Sequence, residues 1–223
     1  MHRFVAIAPL LATTAAVASV GPNWDKDLEE DAGGNLLSAQ PIEVSTVTTI
    51  TGRIAGALND GPTDFHDVYR LVVSDPGTFL IDLTGQPGGG SADFDTCLYL
   101  FDEAGYAQLA NNDAAPGQVG SILRNLANDG SQFRLTTPGI YFLAVCGFPS
   151  QPIVEGETIF NQAFLQPGVI ASASLNTPWS LGWNQPGAIG DYSIRVTGIS
   201  GVPSPGAAAA LAIAGLIGRR RRR

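Results

Sequence analysis

The sequence predicts an all-β domain, an antiparallel sandwich of about eight short strands, and three observations carry that reading. Charged residues make up only 14% of the 223 positions, with 27 Gly and 15 Pro. That mix excludes a coiled coil, a helical repeat and a disordered acidic chain. Second, β-branched and aromatic runs of four to eight residues alternate with Gly, Pro, Asn and Asp clusters. Third, long stretches with a helical apolar period are absent from the middle of the chain.

The strands follow in order. Residues 44–50 are rich in Val and Thr. Residues 68–73 and 78–83 flank Ser74-Asp75-Pro76-Gly77, which reads as a hairpin turn. Alternation places Tyr69, Leu71 and Val73 on one face of the first and Phe79, Ile81 and Leu83 on one face of the second. Residues 97–101, 122–126, 132–135, 140–145 and 192–199 complete the set, and an all-β barrel is the alternative closure. Residues 147–189 form a long Pro- and Gly-rich stretch holding Phe148, Phe160, Phe164, Trp179 and Trp183. A connection of that length is expected to be functional or flexible.

Both ends read as addresses. Met1-His2-Arg3, an apolar run to Val17 and the small residues Ala16-Val17-Ala18 describe a secretory signal over residues 1–18, cut after Ala18. Residues 19–40 are an acidic lead-in and 41–200 the domain. At 201–223 come Val202-Pro203-Ser204-Pro205-Gly206, an apolar run over 207–218, and Arg219, Arg220, Arg221, Arg222 and Arg223. As a helix the run reaches only roughly 18 Å, a marginal span of the bilayer core. The arginines would hold its end at the cytoplasmic face. This order resembles the PEP-CTERM sorting signals, with Ser204 where the name-giving Glu sits. The resemblance implies an exosortase-type transpeptidase as partner after signal peptidase, and transient residence in the inner membrane. The destination it implies is the cell surface or extracellular matrix.

Without its ends the chain is strongly acidic. All 20 carboxylate side chains fall within 19–206, against six basic ones, a difference of −14. Such a surface repels nucleic acid and attracts cations.

A second resemblance rests on Asp64-Phe65-His66-Asp67-Val68-Tyr69-Arg70-Leu71, on residues 95–102 followed by Gly105 and Asn111-Asn112-Asp113, on 138–145, and on 190–196. These segments are similar, in order and spacing, to the bacterial pre-peptidase C-terminal (PPC-like) domains. The resemblance implies a jelly-roll-like β-sandwich that accompanies proteases or stands alone on cell surfaces. It also allows calcium.

Few residues offer catalysis. Nucleophilic chemistry needs a base beside the nucleophile, and His66 is the only histidine after residue 18. It is expected at a surface turn. No Gly-x-Ser-x-Gly or His-Glu-x-x-His pattern occurs, no pair of carboxylates stands out for glycoside hydrolysis, and the expectation is a non-catalytic module. Asp93, Asp95, Asp102, Asn112 and Asp113 flank one strand and are either calcium ligands or ordinary turn residues. Trp179 and Trp183 either stack on sugar rings of a polysaccharide or fold back to cover a sheet. Cys97 and Cys146 are either a disulfide or two buried thiols. The function expected is structural or adhesive, contacting polysaccharide or protein; the alternative is a secreted hydrolase or a protease accessory domain acting in trans.

Overall fold

The structure, a computed structural model, describes residues 32–43, 46–57, 63–160, 166–172, 178–179 and 182–202. The signal segment, the acidic run 25–31, Val44, Ser45 and residues 203–223 lie outside them, and with them the expected terminal helices. Among the described residues there is no α-helix, and none long and apolar enough to cross a membrane.

In chain order the strands are β1 (Gln40–Pro41), β2 (Thr49–Ile54), β3 (His66–Val73), β4 (Leu80–Asp82), β5 (Ser91–Ala92), β6 (Thr96–Asp102), β7 (Ala107–Asn111) and β8 (Ile122–Arg124). Then come β9 (Gly139–Gly147), β10 (Pro152–Val154), β11 (Glu157–Thr158), β12 (Ile170–Ala171), β13 (Gly182–Trp183), β14 (Gly190–Thr197) and β15 (Ile199–Ser200). They form a larger sheet ordered β1-β3-β9-β6-β7-β12 with β15 beside β3, and a smaller one ordered β2-β14-β4-β8 with β5 beside β14. A three-stranded patch, β11-β10-β13, stands apart. Pairing is antiparallel except at the short β1–β3 contact.

The fold class is as expected: two sheets enclosing one core. The smaller sheet gives Ile50, Ile54, Ile81, Leu83, Ile194 and Val196, and the larger gives Tyr69, Leu71, Val73, Leu98, Leu100 and Leu143. Both alternating triplets read from the sequence point into this core. The smaller sheet leaves its other face to solvent, and β14 accordingly alternates buried and exposed positions.

The larger sheet is buried on both faces. β6 is buried without a break from Thr96 to Phe101, and only Asp102 at its end is partly exposed. Its odd positions Cys97, Tyr99 and Phe101 join Val68, Phe142, Ala144 and Cys146 in a second apolar cluster. Ile159, Phe160 and Trp179, from residues 148–189, close that cluster from outside. The long stretch is thus a strap over the sheet. Gly147 lets it pass, because a Cβ there would collide with the backbone of Ala188.

Three local expectations are corrected. Ser74-Asp75-Pro76-Gly77 turns the chain, with Asp75 Oδ1 accepting from Gly77 N at 2.9 Å, but β3 and β4 belong to different sheets, so the turn is a corner rather than a hairpin. Residues 132–135 form no strand beyond a single bridge, Leu126 to Arg134. Conversely β7 was not expected, because Ala107-Gln108-Leu109-Ala110-Asn111 lacks β-branched or aromatic residues. It pairs on both sides, with β6 and β12, and burial outweighs propensity there.

Candidate functional site

The polar residues of interest collect at one end of the larger sheet, where β3 begins, β9 ends and β6 begins. Register sets His66 opposite Cys146 and Cys146 opposite Cys97.

His66 is half-buried rather than at a surface turn. Trp183 stacks on its ring at a centroid distance of 4.0 Å and 12° between planes. Its Nε2 shares a 2.8 Å hydrogen bond with Ser150 Oγ. Tyr99 Oη donates to the Ser150 carbonyl at 2.8 Å, and Trp183 Nε1 donates to the carbonyl of Gly34 at 2.8 Å. Burial lowers the His66 pKa to about 4, opposed by a hydrogen bond to the Gln185 backbone. A serine beside an imidazole has the outline of a nucleophile and its base. The rest of the geometry does not serve catalysis: Ser150 is 0% exposed and reaches no substrate, and a base held this far below neutral pH accepts protons poorly. The pair fastens the strap to β3.

The two tryptophans cover the sheet. Trp179 is 1% exposed, stacks on Phe101 at 4.6 Å and donates from Nε1 to the Gly182 carbonyl at 2.9 Å. Trp183 meets Trp179 and Tyr99 edge-on. The Trp179 ring has no free face for a sugar, and Trp183 gives one face to His66.

The five candidate calcium residues do not form one site. Asp95 and Asp113 lie together; burial raises both pKa values, and the Asp113 charge adds to the rise at Asp95. Asp95 Oδ1 is buried without a hydrogen-bond partner. Asn112 lies beside them, its Oδ1 accepting from Cys97 Sγ at 3.2 Å. Asp93 Oδ1 accepts from Asp191 N at 2.8 Å. Asp102 stands at the far end of β6, roughly 20 Å along an extended strand. There its Oδ1 closes a turn by accepting from Ala104 N at 3.0 Å and Tyr106 N at 2.9 Å. Among the described residues no group of three or more His, Cys, Asp or Glu is placed to hold a metal ion. Calcium takes six to eight oxygens, so Asp95 and Asp113 supply too few ligands to hold a calcium ion tightly.

Two features escaped the sequence reading. Asp102, Glu103, Gln108, Pro138 and Tyr141 line an open depression of about 390 Å³ at the opposite end. Between the sheets, Tyr192 Oη donates to Asp67 Oδ2 and is bonded to Tyr69 Oη. An ionised Asp67 carboxylate only accepts, so Tyr192 donates to it and Tyr69 donates to Tyr192. Gly52 makes room, because a Cβ there would strike both tyrosine hydroxyls. The signal for this network was present: Asp67 shares the inward parity of Tyr69, Leu71 and Val73, and a carboxylate on a core face needs a partner.

The sequence of residues 65–147 matches the family model of the bacterial pre-peptidase C-terminal domain, a little over a third of the chain. No curated protein and no solved structure matches the chain. The matched span runs from β3 through β9 and covers the centre of the larger sheet together with β4, β5, β7 and β8.

Proposed function

We propose that this chain is an exported protein whose β-sandwich is a non-catalytic structural or adhesive module, delivered to the cell surface or extracellular matrix by an exosortase-type transpeptidase. The single observation that carries the reading is the order at 202–223: a Val-Pro-x-Pro motif, an apolar run and five terminal arginines. The similarity of residues 65–147 to a domain without catalytic residues supports it. So does the burial of Ser150, which leaves its contact with His66 without access to substrate. The apolar run of the tail parks the precursor in the inner membrane, the arginines orient it, and cleavage near residues 203–206 frees the folded module. Its partner is an envelope polysaccharide or a surface protein, and nucleic acid is excluded by the acidic surface.

The binding face belongs to the outside of the sandwich rather than to Trp179 and Trp183. The depression beside Tyr141 presents carboxylates, an amide and a phenol, the groups that hydrogen-bond sugar hydroxyls. A cation at the Asp95–Asp113 pair belongs to the same proposal as a weakly held stabilising ion, since positive charge relieves two crowded carboxylates.

Intact-mass measurement of protein harvested outside the cell tests the reading. The expected species begins after Ala18 and ends within residues 203–206. Secreted chains that keep Arg219 to Arg223 overturn it. Hydrolysis of a glycan or peptide panel by the purified module favours the alternative, a hydrolase or protease accessory domain.

A further inference from the structure

Cys97 and Cys146 face each other in register on β6 and β9, the central pair of the larger sheet. Both are fully buried free thiols, and both point to the outer face, in the cluster with Val68, Tyr99 and Ala144. Directly opposed residues of antiparallel strands hold their Cα atoms about 4.5–5.5 Å apart. A disulfide spans about 4.4–6.8 Å, so the spacing of directly opposed positions on β6 and β9 lies within its reach. Around them Cys97 Sγ donates to Asn112 Oδ1 at 3.2 Å and Cys146 Sγ donates to the Ser150 carbonyl at 3.6 Å.

We propose that Cys97 and Cys146 are a covalent modification site, a cross-strand disulfide that forms as the chain folds in the presence of a disulfide oxidant. The Cys97 thiolate attacks one sulfur of the oxidant and expels the other as a thiol. The Cys146 thiolate then attacks the Cys97 sulfur of the mixed disulfide and expels the second thiol. Two protein thiols lose two electrons and two protons, and the oxidant disulfide becomes two thiols.

The order of events follows from burial. The thiolate is the reacting species, and burial pushes the Cys97 thiol well above its ordinary pKa. With both sulfurs inaccessible in the folded chain, exchange belongs to the stage before the strap closes over β6 and β9. Once made, the bond is sealed beneath Tyr99, Phe160 and Trp179. The Ser150 carbonyl loses its thiol donor but keeps Tyr99 Oη. The linkage closes the chain from β6 to β9 into a loop containing β7 and β8, and so removes freedom from the unfolded chain.

The test uses the full chain, unfolded and reduced in denaturant, refolded with a mixture of oxidised and reduced glutathione, then denatured again and alkylated with iodoacetamide. The expected product takes up no alkyl group, weighs about 2 Da less than the reduced chain, and yields a peptide joining Cys97 to Cys146. Alkylation of both cysteines, or recovery of each as a mixed disulfide with glutathione, overturns the proposal. Melting separates a bond that braces the sheet from an idle one: the oxidised chain is expected to melt about 5–15 °C above the reduced chain. Equal melting temperatures would overturn the bracing role.

Discussion

His66 Nε2 and Ser150 Oγ, 84 positions apart in the chain, share a hydrogen bond of 2.8 Å. Ser150 lies just past β9, where the strap begins, and His66 opens β3, so the bond closes the start of the strap onto the neighbouring strand. Trp183, near the other end of the strap, lies flat on the same imidazole. One ring thus receives both ends of the segment that covers the sheet.

That arrangement makes the cover pH-dependent. The folded state holds His66 near pKa 4 against an ordinary 6.5, because burial disfavours the cation. Between these values the unfolded chain binds more protons than the folded one, so stability is full above pH 6.5 and falls toward pH 4. The loss attributable to His66 is about 3 kcal/mol, from the size of the shift. Urea unfolding of wild type and His66→Gln at pH 7 and pH 4.5 measures it. The wild type should lose markedly more stability than the variant on acidification, and equal losses would show that the imidazole does not control the strap.

A second expectation concerns the bond between sheets. Tyr192→Phe removes the hydroxyl that donates to Asp67 and accepts from Tyr69. It leaves a 1% exposed carboxylate without that donor, a change expected to cost about 2–4 kcal/mol. Asp67→Leu combined with Tyr192→Phe should cost less than the two single changes added together, because no carboxylate is then stranded. Strict additivity in denaturant melts would mean that the two side chains act independently.

Calcium provides the third. Asp95 and Asp113 both have raised pKa values, so ionising them opposes folding, and stability from this pair rises as pH falls through their folded pKa values toward 3.8. A divalent cation should do the same work at neutral pH. Adding calcium to EGTA-treated protein at about ten times a Kd of 10⁻⁴–10⁻³ M should raise the melting temperature by about 3–5 °C. Asp113→Asn should melt higher than wild type without calcium and gain less from it. No shift at millimolar calcium disposes of the ion.

Much of this protein was legible in its residues, for identifiable reasons. Alternation exposed the inward faces of β3 and β4, since every second side chain of each strand enters the core between the sheets. The unbroken run Cys97-Leu98-Tyr99-Leu100-Phe101 is buried on both faces, and Phe160, Trp179 and Trp183 from residues 147–189 pack over its outer side. Asp64-Phe65-His66-Asp67 and the segments from there to residue 145 carried the likeness that the match over residues 65–147 bears out, while residues 190–196 lie beyond that match. Less visible were β7, whose residues have little preference for a strand, and the corner at Asp75-Pro76-Gly77, whose turn chemistry is the same whether the next strand pairs or crosses.

By itself the sequence determined the all-β class, the inward residues of the main strands, the acidic surface and the absence of any recognisable catalytic pattern. Only the tertiary structure decided that Trp179 is interior, that His66 meets Ser150, that Asp102 lies far from Asp95 and that Cys97 faces Cys146. The reason is that side-chain periodicity records whether a position avoids water, a property each strand carries alone. Which strand lies beside it, and in which register, depends on closing both sheets and the strap together, and that choice is made by residues far apart in the chain.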